Sequence, residues 1–208
     1  MTIFTAINLK MLSMASAVSL SSNLDNIAIG TSMGFRRIGL RPRDNLVVAT
    51  VTTAGTIASA AAGKALTQII PDNIESMIGG AIMLLVGLWI IYQEKTKPEP
   101  VYEDADAGST SAAAMPADTA VSSGSRMTLS ELLTLSLGLT LNNIPNGVGA
   151  GMLHIDIVLL GLLNFIASLA TLSLGVHVGR RGVRWLGTYS GYVAGVLLAA
   201  LGATEMVF

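Results

Sequence analysis

The sequence predicts an all-α integral membrane protein of six transmembrane helices, built as two inverted three-helix repeats. Three observations predict it: an apolar composition, six separated apolar tracts, and a segment of the first tract that recurs in the fourth. Of the 208 residues, 51% are hydrophobic and only 12% are charged, and the mean hydropathy is +0.64. Soluble domains carry about a quarter charged residues, so this chain lacks the charge to coat a water-facing surface. A net charge of −1 offers nothing to a polyanion, which excludes nucleic acid as a partner. The absence of cysteine removes disulfides, thiolate metal sites and dithiol relays together.

The six expected spans run over Met11–Gly34, Leu46–Lys64, Ile74–Tyr92, Thr128–Gly151, Asp156–Gly179 and Trp185–Val207. Residues 1–93 form the first half, 94–127 a linker and 128–208 the second half. The start of the chain shows no basic stretch followed by an A-x-A-like site, so no removable signal peptide is expected. The linker contains KTKPEPVYEDADAGSTSAAAMPADTAVSSGSR at 95–126, rich in Pro, Ser, Ala and acids and without an apolar period. Such a segment cannot bury enough apolar surface to fold, and disorder is expected there.

Basic residues set the orientation. Arg36, Arg37, Arg41 and Arg43 follow the first span, Lys95, Lys97 and Arg126 lie in the linker, and Arg180, Arg181 and Arg184 follow the fifth. With six spans these three loops share one side and hold every arginine, whereas the opposite loops carry Lys64, Asp72, Glu75, His154 and Asp156. The positive-inside rule then places both termini outside the cytosol, in a multi-pass protein of a prokaryotic cell (inner) membrane.

The repeat is read by shifting the sequence 117 positions, which lays SLSSNLDNIAIGTSMG (19–34) over SLGLTLNNIPNGVGAG (136–151). Seven of sixteen columns are identical, and Leu24/Leu141, Asn26/Asn143 and Ile27/Ile144 carry more weight than the glycines. Further on, Gly63 matches Gly179, and Gly80 and Gly87 match Gly195 and Gly202. Each half holds an odd number of spans, so the halves enter the membrane in opposite orientation. Inverted repeats of this kind occur in transporters that bind their cargo near the midplane.

Asp25 is the one carboxylate that falls deep within a span. Arg36 lies eleven residues beyond it, roughly 16 Å along a helix, and Asn142, its repeat partner, is as far from Glu131. An ionisable group at that depth costs several kcal/mol unless paired or hydrated, which makes it a functional candidate. Asn23, Asn26, Asn142, Asn143 and Asn146 crowd the same two segments, and Pro145 with Gly30, Gly147, Gly149 and Gly151 loosens the helices and frees carbonyls. Carboxylate, amide and carbonyl oxygens are the ligands of a hard cation. The register also equates Thr52 with Ser168, whose hydroxyls either complete the cluster or bond their own helices. The candidate cation ligands are therefore Asp25, Asn26, Thr52, Asn142, Asn143 and Ser168. His177 is expected at the cytosolic interface, and the ten methionines, scattered without repeat spacing, as core and lipid-facing filler.

LDNIAIG (24–30) and LNNIPNGVG (141–149) resemble the paired signatures of the MntP-type manganese efflux pumps and the YtaF-type sporulation membrane proteins. HIDIVLLGLLNFIASLATLSLGVHVGR (154–180) is similar to the fifth helix of that family, within a superfamily that also holds amino-acid exporters. The resemblance implies cation export with manganese as cargo. The chain departs from the pumps at two positions: Asn142 stands where they carry a second aspartate, and Thr52 where they carry a glutamate. The Asn-rich second signature resembles the YtaF branch more closely.

The sequence thus predicts an exporter of a small cation, a divalent metal such as manganese (Mn2+), with proton coupling through Asp25 and no resident cofactor. Its expected partners are the lipid bilayer and the transported cation, and a homo-oligomer is compatible with the class. An exporter of amino acids or other small zwitterions, and a non-transporting membrane partner of the YtaF type, stay open. No nucleophile–base constellation or metalloprotease motif points to an enzyme.

Overall fold

The computed structural model describes residues 9–35, 37–96, 127–181 and 185–207. The linker residues 97–126, and with them the expected disorder, lie outside the described residues, as does Arg36. Among the described residues seven α-helices follow one another: α1 (Leu9–Ser21), α2 (Asp25–Phe35), α3 (Pro42–Thr67), α4 (Asp72–Thr96), α5 (Leu129–Met152), α6 (Ile157–Arg180) and α7 (Trp185–Val207).

Seven helices stand where six were expected because the first tract is not continuous. Between α1 and α2 the backbone tightens into three-residue turns, Asn23 N–H donating to the Leu20 carbonyl (3.0 Å) and Asn26 N–H to that of Asn23 (3.1 Å). No glycine or proline stands at the break. Ser22, Asn23 and Asp25 do, residues whose short polar side chains compete for backbone groups and start helices rather than continue them. Where the sequence did suggest loosening, at Pro145, α5 runs through unbroken.

Polar caps fix the other helix starts. The Asp44 carboxylate accepts from the Arg41 N–H at 2.9 Å, ahead of Pro42 in the first turn of α3. Thr128 and Glu131 form a reciprocal capping box on α5. The Asp156 carboxylate accepts from the Leu159 N–H at 2.7 Å at the start of α6.

The main pairings are α2 with α6, α3 with α5 and α4 with α7. Glycines let the backbones touch. A Cβ at Gly34 on α2 would strike the Val176 carbonyl oxygen and the Arg180 amide nitrogen of α6. One at Gly151 on α5 would strike the same two kinds of atom at Ala60 and Lys64 of α3. Both partner pairs are 116 positions apart. Gly63 likewise abuts Val148, and Gly179 abuts Thr31. These contacts advance together along both chains, so α2 runs parallel to α6 and α3 to α5. In α4 and α7 the order reverses, Gly87 meeting Gly195 and Gly80 meeting Gly202, so this pair is antiparallel.

A layer of polar side chains is buried while many large apolar side chains are exposed. Asn23, Thr52, Asn164 and Ser168 are fully buried, while Leu141, Leu85, Trp89 and Leu162 are each more than half exposed. A water-soluble fold buries these classes the other way round. Among the described residues, α3 and α6 are long and apolar enough to cross a membrane, and shorter apolar runs occupy Met77–Gln93 and Gly195–Thr204.

Gly151→Val is expected to destabilise the fold by about 1–3 kcal/mol or more, because neither backbone can retreat without losing its partner's contacts. Ala58→Val, on the exposed face of α3, should change stability by no more than about 0.5 kcal/mol. Thermal unfolding of the two purified variants checks this, and equal melting temperatures would contradict the close backbone approach.

Candidate functional site

Four tracts carry the same sequence of layers. An apolar cluster at one end joins Met33, Val48, Leu135 and Leu172, and a second at the other end joins Val18, Ala60, Met83, Leu160 and Leu198. Between them each tract contributes buried polar side chains: Asn23 and Asn26 from the break and α2, Thr52 and Thr56 from α3, Asn143 and Asn146 from α5, Asn164 and Ser168 from α6. The polar layer is therefore closed off by hydrocarbon above and below.

Asp25 opens α2 at the edge of this layer and is half-buried. The helix N-terminus favours its negative charge. Its Oδ1 accepts from the Asn26 backbone N–H at 2.9 Å, and its Oδ2 accepts from Asn142 Nδ2 at 2.7 Å. One turn further along α5, Asn146 Nδ2 donates to Ser22 Oγ at 2.9 Å. These two bonds run in antiparallel order and tie α5 to the break. The sequence anticipated a meeting of the first and fourth tracts at Asp25 and Asn142. That meeting is a crossing through side chains, since the extensive packing is α2 on α6 and α5 on α3.

Of the remaining candidates, Asn26, Ser168 and Thr52 form a chain. Asn26 Nδ2 donates to Asn23 Oδ1 at 3.0 Å and lies 3.4 Å from Ser168 Oγ, which lies 3.4 Å from Thr52 Oγ1. Thr52 also donates to the Val48 carbonyl at 2.9 Å, so it serves its own helix and the cluster together. Asn143 is buried beside Asn142 and its Oδ1 accepts no hydrogen bond from any described residue; the same holds for Asn146 Oδ1. An orphaned buried acceptor costs about 1–3 kcal/mol. Two of them on one face of α5, at i and i+3, form an oxygen-lined surface short of donors or of a cation.

Asn164 was not anticipated. It is fully buried, its Oδ1 accepts from Asn23 Nδ2 at 2.7 Å, and its Nδ2 donates to Thr53 Oγ1 at 3.2 Å. The repeat gave no pointer, since its equivalent in the first half is Val48. The only signal was an amide inside the apolar run LLNFI. Asn23 and Asn146 were noticed as amides but not placed among the ligands. His177 is exposed near the end of α6, and Met33, Met83 and Met152 are core residues.

The layer can hold a cation through oxygen. Among the described residues no group of three or more His, Cys, Asp or Glu side chains is placed to hold a metal.

No protein-family model matches the sequence, and no solved structure matches it. The chain is similar to the probable sporulation protein YtaF of Bacillus subtilis (strain 168), with 22% identity over 202 residues that cover 91% of this chain and 96% of that protein. This likeness runs through both halves and fits the YtaF-type part of the resemblance carried by the two signature segments, without extending to the manganese efflux pumps.

Proposed function

We propose that the chain is a multi-pass transporter of the prokaryotic cell membrane that exports a small cation through a site built on Asp25. The polar layer carries this reading: a half-buried carboxylate at a helix break, bonded to the exposed Asn142, stands at the edge of a layer of buried amides with two unpaired oxygens, and large apolar side chains are exposed around it. A membrane accepts irregular backbone only inside protein or along a wet cavity. The break comes after the 13 residues of α1 and before the 11 of α2, near the middle of the span that the two would form together.

The packing supports two inverted halves. Exchanging them turns the α2–α6 contact into the α5–α3 contact and leaves α4–α7 unchanged, and the glycine contacts repeat at the same offsets. An odd number of spans per half then makes the arrangement an inverted repeat with its site where the halves meet.

Hard divalent ions take six or more oxygen ligands. Asp25, the Asn143 and Asn146 amide oxygens and retained water make up such a shell, with manganese the cargo that the signature segments suggest. Asp25 is the one ionisable group among the described residues of the layer, so a proton and a cation compete for it. That competition supplies a simple coupling, in which the metal departs as the proton arrives.

Asp25→Asn keeps the shape and removes the charge, and should abolish cation flux in sealed vesicles while leaving the protein folded. Undiminished flux in this variant sinks the proposal; export of amino acids with no cation flux would move the chain to the other branch of its superfamily. Asn142→Asp adds a second carboxylate, and should tighten divalent binding, most clearly as pH rises and both acids ionise. Binding isotherms over a pH series test this, and a variant that binds no tighter at any pH would remove Asn142 from the site.

The cysteine-free sequence suits a topology test by single introduced cysteines. Those in the 95–126 linker should resist an impermeant reagent added outside cells, while those at the termini react. Labelling of the linker from outside would reverse the orientation and leave the inverted repeat intact.

A further inference from the structure

At the end of the molecule where α3 begins and α6 finishes, a cavity of about 640 Å³ opens between the two helices. Arg41 just before α3, Arg43 in its first turn and Arg180 at the end of α6 stand around it, all exposed. Its wall is hydrocarbon from Leu40, Leu46 and Leu169. Asp44, the acid nearest in sequence, is engaged in capping α3 through the Arg41 N–H. At the base, Asn45 is 5% exposed; its Nδ2 donates to the Leu169 carbonyl (3.0 Å) and to Ser173 Oγ (2.8 Å). Its Oδ1 accepts no hydrogen bond from any described residue.

We infer that this cavity binds an anionic glycerophospholipid, the phosphate among Arg41, Arg43 and Arg180 and the start of an acyl chain against the leucine wall. Guanidinium groups match phosphate through paired N–H donors. Basic pockets between helices on the cytosolic side of a membrane are recognised sites for acidic headgroups. A free anion would use the rim and leave the hydrocarbon wall idle, whereas a zwitterionic lipid would bring an ammonium to three cations. The lipid would also bridge α3 and α6, which carry Thr52 and Ser168 into the polar layer. The inference rests on the membrane reading above and not on the identity of the cargo.

The experiment takes the full-length protein into vesicles of phosphatidylglycerol or of phosphatidylcholine, followed by flotation and native mass spectrometry of retained lipid. Failure to float with either vesicle would refute the membrane reading itself. Given flotation, wild-type protein should retain phosphatidylglycerol about tenfold over phosphatidylcholine, from the attraction of several arginines for one acidic headgroup. The combined Arg41→Gln, Arg43→Gln, Arg180→Gln variant should lose that preference. A charge-matched Arg37→Gln, Lys64→Gln, Lys95→Gln variant, altered outside the cavity, should keep it. Leu169→Trp, which fills the cavity without touching charge, should lower retention as the arginine variant does. Equal retention of both lipids by wild type, or a preference that survives the arginine and tryptophan changes, overturns the site. Displacement of the lipid by millimolar inorganic phosphate overturns it too, by reassigning the rim to a soluble anion.

Discussion

The Asn23 side chain is the joint on which the rest of this fold turns. Where the first tract leaves helical geometry, the Asn23 amide donates to the Ser19 carbonyl and to Asn164, each at 2.7 Å, and its oxygen accepts from Asn26. One side chain thus replaces a lost backbone bond, ties the break to α6 and fixes the amide that follows Asp25. An unmade hydrogen bond at a fully buried position costs more than a made one gains. Breaking a helix at a buried position is therefore tolerable only with such a substitute, and the break is what brings a carboxylate to the head of a half-helix instead of the flank of a continuous one.

The glycine contacts and the polar layer are two sides of one constraint. Amides and hydroxyls on short side chains reach one another only if the backbones that carry them are close. Gly30 and Gly34 on α2, and Gly147 and Gly151 on α5, allow that closeness where α6 and α3 lie against them. On the proposed membrane setting, dispersion between closely spaced backbones and hydrogen bonds between small polar side chains are the forces available, since the outer faces gain nothing from hiding from lipid. The apolar clusters on either side then serve less to drive association than to keep water from the layer between them.

Much of this was legible in the sequence because the repeat doubled each weak signal. Asp25 and Asn142 stood at matching positions, and they meet. Thr52 and Ser168 stood at matching positions, and they lie 3.4 Å apart. What the repeat did not double stayed hidden. Asn164 has Val48 as its equivalent, so an argument from symmetry passed over the residue that anchors Asn23. The break was misread for a different reason. Proline and glycine are expected to loosen a helix, yet α5 runs through Pro145 unbroken. The run Ser21, Ser22, Asn23, Leu24, Asp25 holds four residues suited to starting a helix, and that signal was present but was read as ligand chemistry alone.

The same break gives the asymmetry of the site a chemical sense. Two carboxylates facing each other across the layer would repel, and one would hold a proton until a cation came. With Asn142 opposite Asp25, that repulsion is absent: the amide nitrogen donates to the carboxylate at 2.7 Å. An amide carries an acceptor on its other end, and rotation about its terminal torsion exchanges the two. On the proposed function, an arriving cation would turn Asn142 so that its oxygen joins Asp25 in the shell, at the loss of one charge-assisted hydrogen bond. Binding is then opposed by a bond worth about 1.5–3 kcal/mol rather than by a second proton. On that proposal, a site with one carboxylate holds its ion more weakly than a paired-carboxylate site does.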